Sequence, residues 1–471
     1  MGKYLLSFGR IGLFEEIRPL VLPLLFGAIW KVGLPQVYVA EIVEILFSAG
    51  AILFTYLIAE KVFDERAALL AALIMALSPT YFSFTGSALS DIPSTFFVLG
   101  ALFFFIKRNY VLTGVFCGIS FLTRFPQGLA LGAIIISLII SWVYDKDTKD
   151  LFKKATTIIS VFLITTTPFF IFNYFMYHED ASSIVDAFFR PILLGSWHQS
   201  NPFDSVPGFW QNLTFYPAAA INENWMLGFC ILGVALILFS SARYNTNRRT
   251  ILIFLAIYLG YFTSIINKQT RFLIVMLPFI VMLASYGTLW FLEYLRKRRE
   301  INPIPSTATA AVILLFFIYS TSLSIQADGK NYEMRSSVEQ PIVTEFYRYF
   351  TTHTVKGAVL TSDPVPAAYA DALFVPYYGS MDEAVEIYDD WLKKDKLSAV
   401  IFSPSSFPCL AGDSACESAK QVFIDRVNRN KEVFSKEYDG TIYNIYYPTK
   451  SNHNNYQGSS VVSHLETFHM P

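Results

Sequence analysis

A few charged residues interrupt long apolar runs, and their types suggest what chemistry they could do. Asp91 stands in Ala88-Leu-Ser-Asp-Ile-Pro93, at the end of two otherwise uncharged stretches. An isolated carboxylate beside lipid is expensive, so such residues usually face a polar cavity, an ion or a substrate. An Asp ahead of Ile-Pro is also a helix-start signal, and the two roles can coexist. Arg124 follows Leu122-Thr123, and Lys268 and Arg271 flank Gln269-Thr270. Arg offers planar paired donors and Lys a compact charge, so this trio could clamp a phosphate or pyrophosphate; the bland alternative is snorkelling to lipid headgroups. Glu15, Glu16 and Arg18 precede Pro19. Two adjacent carboxylates can supply a base or metal ligands, or can form a solvated face. His198, in Ser196-Trp-His-Gln-Ser200, lacks a neighbour at ligand spacing and is a weak metal signal. Asp91 and His198 are the positions considered for a divalent metal ion, the one cofactor suggested.

The elements that must position these residues follow from composition. Of 471 residues, 54% are hydrophobic, 17% aromatic and only 15% charged. A soluble chain carries roughly 25% charged residues, so this one cannot wet a normal surface. The net charge of −1 excludes a nucleic-acid binder, which needs a basic surplus. Uncharged runs at Ala67–Leu89, Phe125–Tyr144, Ala155–Tyr177, Asn224–Ala242, Thr250–Asn267, Phe272–Leu292 and Ile301–Ala327 reach the ~18 residues needed to span a bilayer. Ile45–Ala59, Ile92–Ile106 and Asn109–Thr123 are shorter runs separated by single charges or tight turns. The expectation is a polytopic α-helical membrane protein of about ten spans.

Basic residues set the sides. Lys61, Arg66, Lys107, Arg108, Lys146, Lys149, Lys153, Lys154, Arg243, Arg248, Arg249 and Arg296 to Arg299 fall in alternate connections. Lys/Arg enrichment marks the cytoplasmic side, which puts Asp91, Arg124, the loop His178–Glu223 and the turn Lys268–Arg271 at the external face. Residues 1–44 also fall outside, with Pro19–Trp30 too short to span and suited to an interfacial helix.

Residues 45–327 form the transmembrane part, and from Asp328 the composition becomes that of a soluble domain. Runs at Gly357–Ser362, Asp371–Gly379, Ser398–Ser403 and Thr441–Pro448 read as strands. Asp382–Asp395 and Ser414–Asn430 read as helices, so 328–448 is expected to be an external α/β domain. Residues 449–471 are polar and unpatterned, as in a disordered tail. Cys409 and Cys416, with six residues between them, suit a disulfide in an external compartment.

Several motifs in order resemble the GT-C class of membrane glycosyltransferases. Glu16-Ile-Arg-Pro-Leu-Val-Leu-Pro23 resembles the Arg-Pro-Pro-Leu-x-Pro segment that follows the class's first external loop. Ala67-Ala-Leu-Leu-Ala-Ala with Ser78-Pro79, then Ala88-Leu-Ser-Asp-Ile-Pro93, resembles its third and fourth helices with their acidic turn. Gly114-x-x-x-Gly118-Ile-Ser-Phe-Leu-Thr-Arg124 resembles the Gly-rich helix ending in Leu-Thr-Lys/Arg. Lys268-x-x-Arg-Phe-Leu-Ile-Val-Met-Leu-Pro278 resembles the late Arg-Tyr-x-Leu-Pro motif. The likeness runs from about Gly9 to Ala327 and is greatest to the protein mannosyltransferase and aminoarabinose transferase branch.

The resemblance implies transfer of a sugar from a polyprenyl- or dolichyl-phosphate donor to a protein, lipid or glycan acceptor at the external membrane face. It implies Asp91, Glu15 and Glu16 as candidate catalytic carboxylates, and Arg124, Lys268, Arg271 and Arg18 as candidate phosphate-binding residues. The class carries its principal acidic residue in the first external loop, after a first membrane helix. This chain starts at about that loop's middle, so it is expected to be a shortened form of a longer protein. Two competing readings stay open: a non-catalytic binding protein on the same scaffold, and a lipid or solute transporter. A transporter would carry midplane charges and paired halves, which the sequence does not show.

Overall fold

The computed structural model describes residues 1–179, 181–197, 208–239, 246–265, 268–299, 303–377, 381–403, 414–438 and 440–449. The chain opens with α1 (Gly2–Leu6), β1 (Gly12–Leu13) and α2 (Val21–Lys31). A helical series follows: α3 (Gln36–Val62), α4 (Glu65–Ala76), α5 (Pro79–Phe84), α6 (Asp91–Ile106), α7 (Tyr110–Thr123), α8 (Leu129–Asp145), α9 (Thr148–Tyr177), α10 (Ile184–Trp197), α11 (Phe209–Glu223), α12 (Cys230–Phe239), α13 (Thr246–Ser264), α14 (Leu273–Arg299) and α15 (Pro303–Pro341). Then come α16 (Tyr349–Thr352), β2 (Ala358–Thr361), α17 (Pro366–Tyr369), β3 (Leu373–Pro376), α18 (Met381–Lys393), β4 (Leu397–Phe402), α19 (Ser414–Val427), β5 (Lys431–Tyr438) and β6 (Thr441–Tyr447). Two compact units result. One comprises residues 17–21 and 40–332; the other comprises residues 1–16, 22–39 and the chain from 333.

In the helical unit, four helices among the described residues are long and apolar enough to cross a membrane: Gln36–Val62, Phe125–Val143, Thr148–Tyr177 and Thr270–Lys297. Asp91–Ile106, Tyr110–Thr123 and Trp225–Phe239 are apolar but shorter. α14 is the innermost, with Phe272 through Ser285 all buried. The run Ala67–Leu89, expected as one span, is instead broken into α4 and α5. Ser78 caps α5, its Oγ accepting from the Tyr81 amide at 3.2 Å, and Pro79 occupies the first turn. A proline there loses no helical hydrogen bond, so the break is locally encoded. Glu223, at the end of α11, accepts from the Ser78 hydroxyl and from the Thr80 amide, the latter at 2.9 Å.

α7 packs on α9 through glycines spaced four apart. A Cβ at Gly114 would lie 2.7 Å from the Ile158 carbonyl oxygen, and one at Gly118 would lie 2.7 Å from the Thr165 side chain. Small residues at this spacing let two helix backbones approach where lipid supplies no hydrophobic drive. Gly118→Val is therefore expected to cost about 1–3 kcal/mol through overpacking, measured by denaturant unfolding in detergent. A variant as stable as the parent would show that this contact is not tight.

The second unit is built on a six-stranded sheet of order β1-β3-β2-β4-β6-β5. β1, β3, β2 and β4 run parallel, while β6 is antiparallel to both β4 and β5. β2, β3, β4 and β6 fall within or across the strand-like runs of the sequence. β5 and β1 carried no strand reading there. β5 is charge-rich, with Lys431-Glu432 and Lys436-Glu437 flanking Val433-Phe434, as suits an edge strand that must resist further pairing.

β1 is only two residues long, and its pairing comes from the other end of the chain. The Gly12 amide donates to the Ala372 carbonyl at 2.8 Å, and Leu13 is buried among Phe346, Phe350, Val359 and Phe374. Gly12 sits at φ +95, where a Cβ would also strike Lys3 at 2.9 Å, so the position demands glycine. Lys3 is buried, and its Nζ donates to Asp371 Oδ1 at 2.9 Å and to the Ala370 carbonyl at 3.0 Å. The stretch expected to form an interfacial helix contains α2, whose Trp30 indole donates to the same Asp371 carboxylate at 3.1 Å.

Candidate functional site

α6 and α7 form a tight helical hairpin, so the start of one and the end of the other meet. Asp91 opens α6, and its backbone carbonyl accepts from the Ser94 and Thr95 hydroxyls at 3.0 and 2.8 Å. Ser90 rather than Asp91 holds the N-cap position, and no side-chain capping bond forms there. Arg124 ends α7 on extended backbone and donates from Nη1 to Asp91 Oδ1. The pair is secluded, with 4% of the Asp91 side chain and 14% of the Arg124 side chain exposed. The guanidinium also stacks near aromatic faces, 4.9 Å from the Phe272 ring centre and 5.9 Å from that of Phe262. Such stacking holds a planar cation without consuming its hydrogen-bond donors.

Arg271 sits in the 3₁₀ turn Thr270–Phe272 that leads into α14. It is within electrostatic reach of Asp91, Arg124 and Arg18, so three arginines and one aspartate share this region. Its Nε is buried and makes no hydrogen bond. Arg18 is exposed.

Lys268 behaves differently. Its Nζ donates to the carbonyls of Phe262, at 3.0 Å, of Thr263, at 2.6 Å, and of Ile265. Phe262 and Thr263 lie in the last turn of α13 and Ile265 follows it directly, and an ammonium has three donors. Lys268 thus completes a helix C-terminus, and burial lowers the pKa of its ammonium below the usual range.

Glu15 and Glu16 follow β1 in the sheet-bearing unit. His198 lies outside the described residues, as do Cys409 and residues 450–471. Cys416 is disulfide-bonded, while Cys117 and Cys230 are free. Among the described residues, no three His, Cys, Asp or Glu side chains converge as metal ligands would.

Sequence reasoning passed over Glu44. It lies on α3 with no solvent exposure, and both carboxylate oxygens lack hydrogen-bond partners. Asp91 is close enough to interact with it electrostatically. The signal was present as periodicity: Glu44, Ser48, Ala51 and Thr55 share one buried helix face, a polar stripe inside an apolar span. An enclosed carboxylate without partners is costly, and replacing it with an apolar residue of similar volume relieves that cost. Glu44→Met is expected to raise unfolding stability by about 1–3 kcal/mol in detergent denaturation. A destabilised variant would show that Glu44 has a structural partner.

The comparisons with known proteins agree with this architecture. Residues 18–172 match the model of the dolichyl-phosphate-mannose-protein mannosyltransferase family. The chain is similar to ArnT from Cupriavidus metallidurans, solved bound to undecaprenyl phosphate, at TM-score 0.61 and 12% identity over 96% of this chain and 92% of that one. It is similar to the archaeal oligosaccharyltransferase AglB from Archaeoglobus fulgidus, solved with an inhibitory peptide and a dolichol-phosphate. There the TM-score is 0.56 and the identity 15%, over 94% of this chain and 67% of that one. The mycobacterial arabinofuranosyltransferase AftD matches at TM-score 0.51 and 14% identity, over 91% of this chain and 35% of its own. No curated protein matches the chain by sequence. The fold is that of the GT-C glycosyltransferases, with the family-model match falling on the segment that carries Arg18, Asp91 and Arg124.

Proposed function

We propose that the protein is a multi-pass membrane glycosyltransferase. It moves a sugar from a polyprenyl- or dolichyl-phosphate donor to a hydroxyl-bearing protein, lipid or glycan acceptor at the external face. The observation that carries this reading is the secluded Asp91–Arg124 pair with Arg271 beside it, at one end of the α6–α7 hairpin. The donor's lipid would lie among apolar helices and its phosphate at the arginines. As the acceptor oxygen attacks the anomeric carbon, the bond from that carbon to the phosphate oxygen breaks. Negative charge then grows on the departing phosphate, and fixed cations stabilise charge that develops in the transition state.

Arg271 is the better-placed phosphate ligand, because its Nε is unengaged while the donors of Lys268 are already used. Arg124 is shared between Asp91 and the incoming phosphate. Drawing the guanidinium toward phosphate frees the Asp91 carboxylate to accept the acceptor's proton, the role that general-base catalysis requires. Glu15 and Glu16 remain the alternative carboxylates.

The test uses the purified chain in lipid vesicles with radiolabelled dolichyl- and undecaprenyl-phosphate sugars and a hydroxyl acceptor. Label is expected to move to the acceptor. Donor binding without transfer under any condition would favour the non-catalytic binding protein, and neither binding nor transfer would overturn the proposal.

A further inference from the structure

Two uncharged polar side chains lie beside the arginines with their hydrogen-bonding capacity unspent. Gln127 belongs to the 3₁₀ turn Phe125–Gly128, directly after Arg124, and its backbone amide donates to the Arg124 carbonyl at 2.9 Å. Gln127 has no solvent exposure, and neither end of its carboxamide has a hydrogen-bond partner among the described residues. Phe125 takes the face of the turn toward α9, its ring 5.6 Å from that of Phe169. Residues two apart in a 3₁₀ helix lie on different faces, so Gln127 is buried on another side. There α6, which opens with Asp91, also packs against the turn.

Tyr216 comes from α11. Its ring centre is 6.4 Å from that of Phe262, and the Phe262 ring lies 5.9 Å from the Arg124 guanidinium. Phe262 stacks 5.0 Å from Phe272, whose ring is 5.5 Å from the Arg271 guanidinium. Interlocked rings therefore hold Tyr216 close to both arginines. Tyr216 is buried, and its hydroxyl lies beside the Gln269 backbone without completing a well-formed hydrogen bond.

Native proteins leave few buried amides and hydroxyls unpaired, because each one forfeits its bonds to water. Here two such groups, from separate elements, adjoin the guanidiniums that would hold a phosphate. Cations suit that phosphate and a carboxylate suits the migrating proton, but neither matches a neutral hydroxyl. A carboxamide offers two donors and an acceptor, and a phenol offers one donor with acceptor capacity. That set complements the hydroxyls of a sugar. A site built to bond a hydroxyl also rejects analogues lacking it, since its own polar groups are then stranded.

We infer that Gln127 and Tyr216 are specificity-determining residues that hydrogen-bond hydroxyls of the donor's sugar while Arg124 and Arg271 hold its phosphate. This assignment rests on the reading of those arginines as the phosphate end of the site.

The experiment measures binding to the purified chain in lipid nanodiscs, without acceptor. Bare dolichyl phosphate is compared with dolichyl phosphate carrying mannose, glucose or arabinose. Bare-lipid binding reports on the arginines, and the gain from the sugar reports on Gln127 and Tyr216, so the two readings can fail separately. The parent is expected to bind at least one sugar-bearing lipid about tenfold tighter than the bare one, the reach of one or two neutral hydrogen bonds. Gln127→Met and Tyr216→Phe should each cut that preference about 3–10-fold and leave bare-lipid affinity within about twofold. Their thermal midpoints should not fall, since each variant loses a group without a well-formed bond. A lower midpoint with the preference intact would mark a merely structural role and overturn the assignment. So would a parent that binds bare and sugar-bearing lipids equally, or variants that change only the KM for the acceptor. Absence of any lipid binding by the parent would overturn the phosphate reading and this assignment with it. The two residues stand on separate elements, so if one variant fails to fold the other still decides.

Discussion

Asp91→Asn is expected to lower sugar transfer by about 10²–10⁴-fold, the range that a positioned general base supplies, while the chain still reaches the membrane folded. The amide keeps the size and the helix-start chemistry of the residue but can neither neutralise Arg124 nor accept a proton. Asp91 is the only carboxylate bonded to Arg124 among the described residues, so no neighbour is in place to substitute. The measurement is turnover at saturating donor in vesicles, with folding checked by thermal unfolding. Turnover equal to the parent's would reduce Asp91 to a structural partner of Arg124 and shift attention to Glu15 and Glu16.

Arg271→Ala is expected to weaken donor binding by about 10–150-fold, the equivalent of the ~1.5–3 kcal/mol carried by a hydrogen bond to a charged group. Lys268→Ala makes the informative contrast. Its ammonium is already bonded to carbonyls at and just beyond the end of α13, so its removal should lower stability and leave donor affinity within a few-fold of the parent. Binding of a dolichyl- or undecaprenyl-phosphate probe to the two variants distinguishes them. Equal losses in both would restore Lys268 to the phosphate site, and no loss at Arg271 would remove the proposed clamp. Arg124→Ala is a poorer probe, because it also strands the buried Asp91 carboxylate and mixes binding with stability.

Much of this site was legible because its residues break a pattern. Asp91, Arg124 and Arg271 are conspicuous as charges at the ends of apolar runs, and the structure brings all three together. Lys268 looked equivalent to Arg271 by type and spacing, and only the direction of its side chain separates them. Glu44 was hidden for a different reason. Near the start of an apolar run, a glutamate reads as a solvated boundary residue, and its enclosure depends on what packs across that helix face.

The sequence by itself determined the class of solution. With 54% hydrophobic and 15% charged residues, the chain can satisfy its backbone in an apolar setting chiefly through helices, and Ser78-Pro79 and the Gly114–Gly118 spacing dictate where one helix breaks and where two approach. Tertiary structure alone decided which charge meets which. Asp91 finds Arg124 across 33 positions of sequence, and Lys3 finds Asp371 across 368. β1 pairs with β3 from the opposite end of the chain. The physical reason is that helix and turn signals act over a few residues, whereas the energy of a buried charge or an unpaired strand edge depends on its distance to a partner, which local spacing does not record.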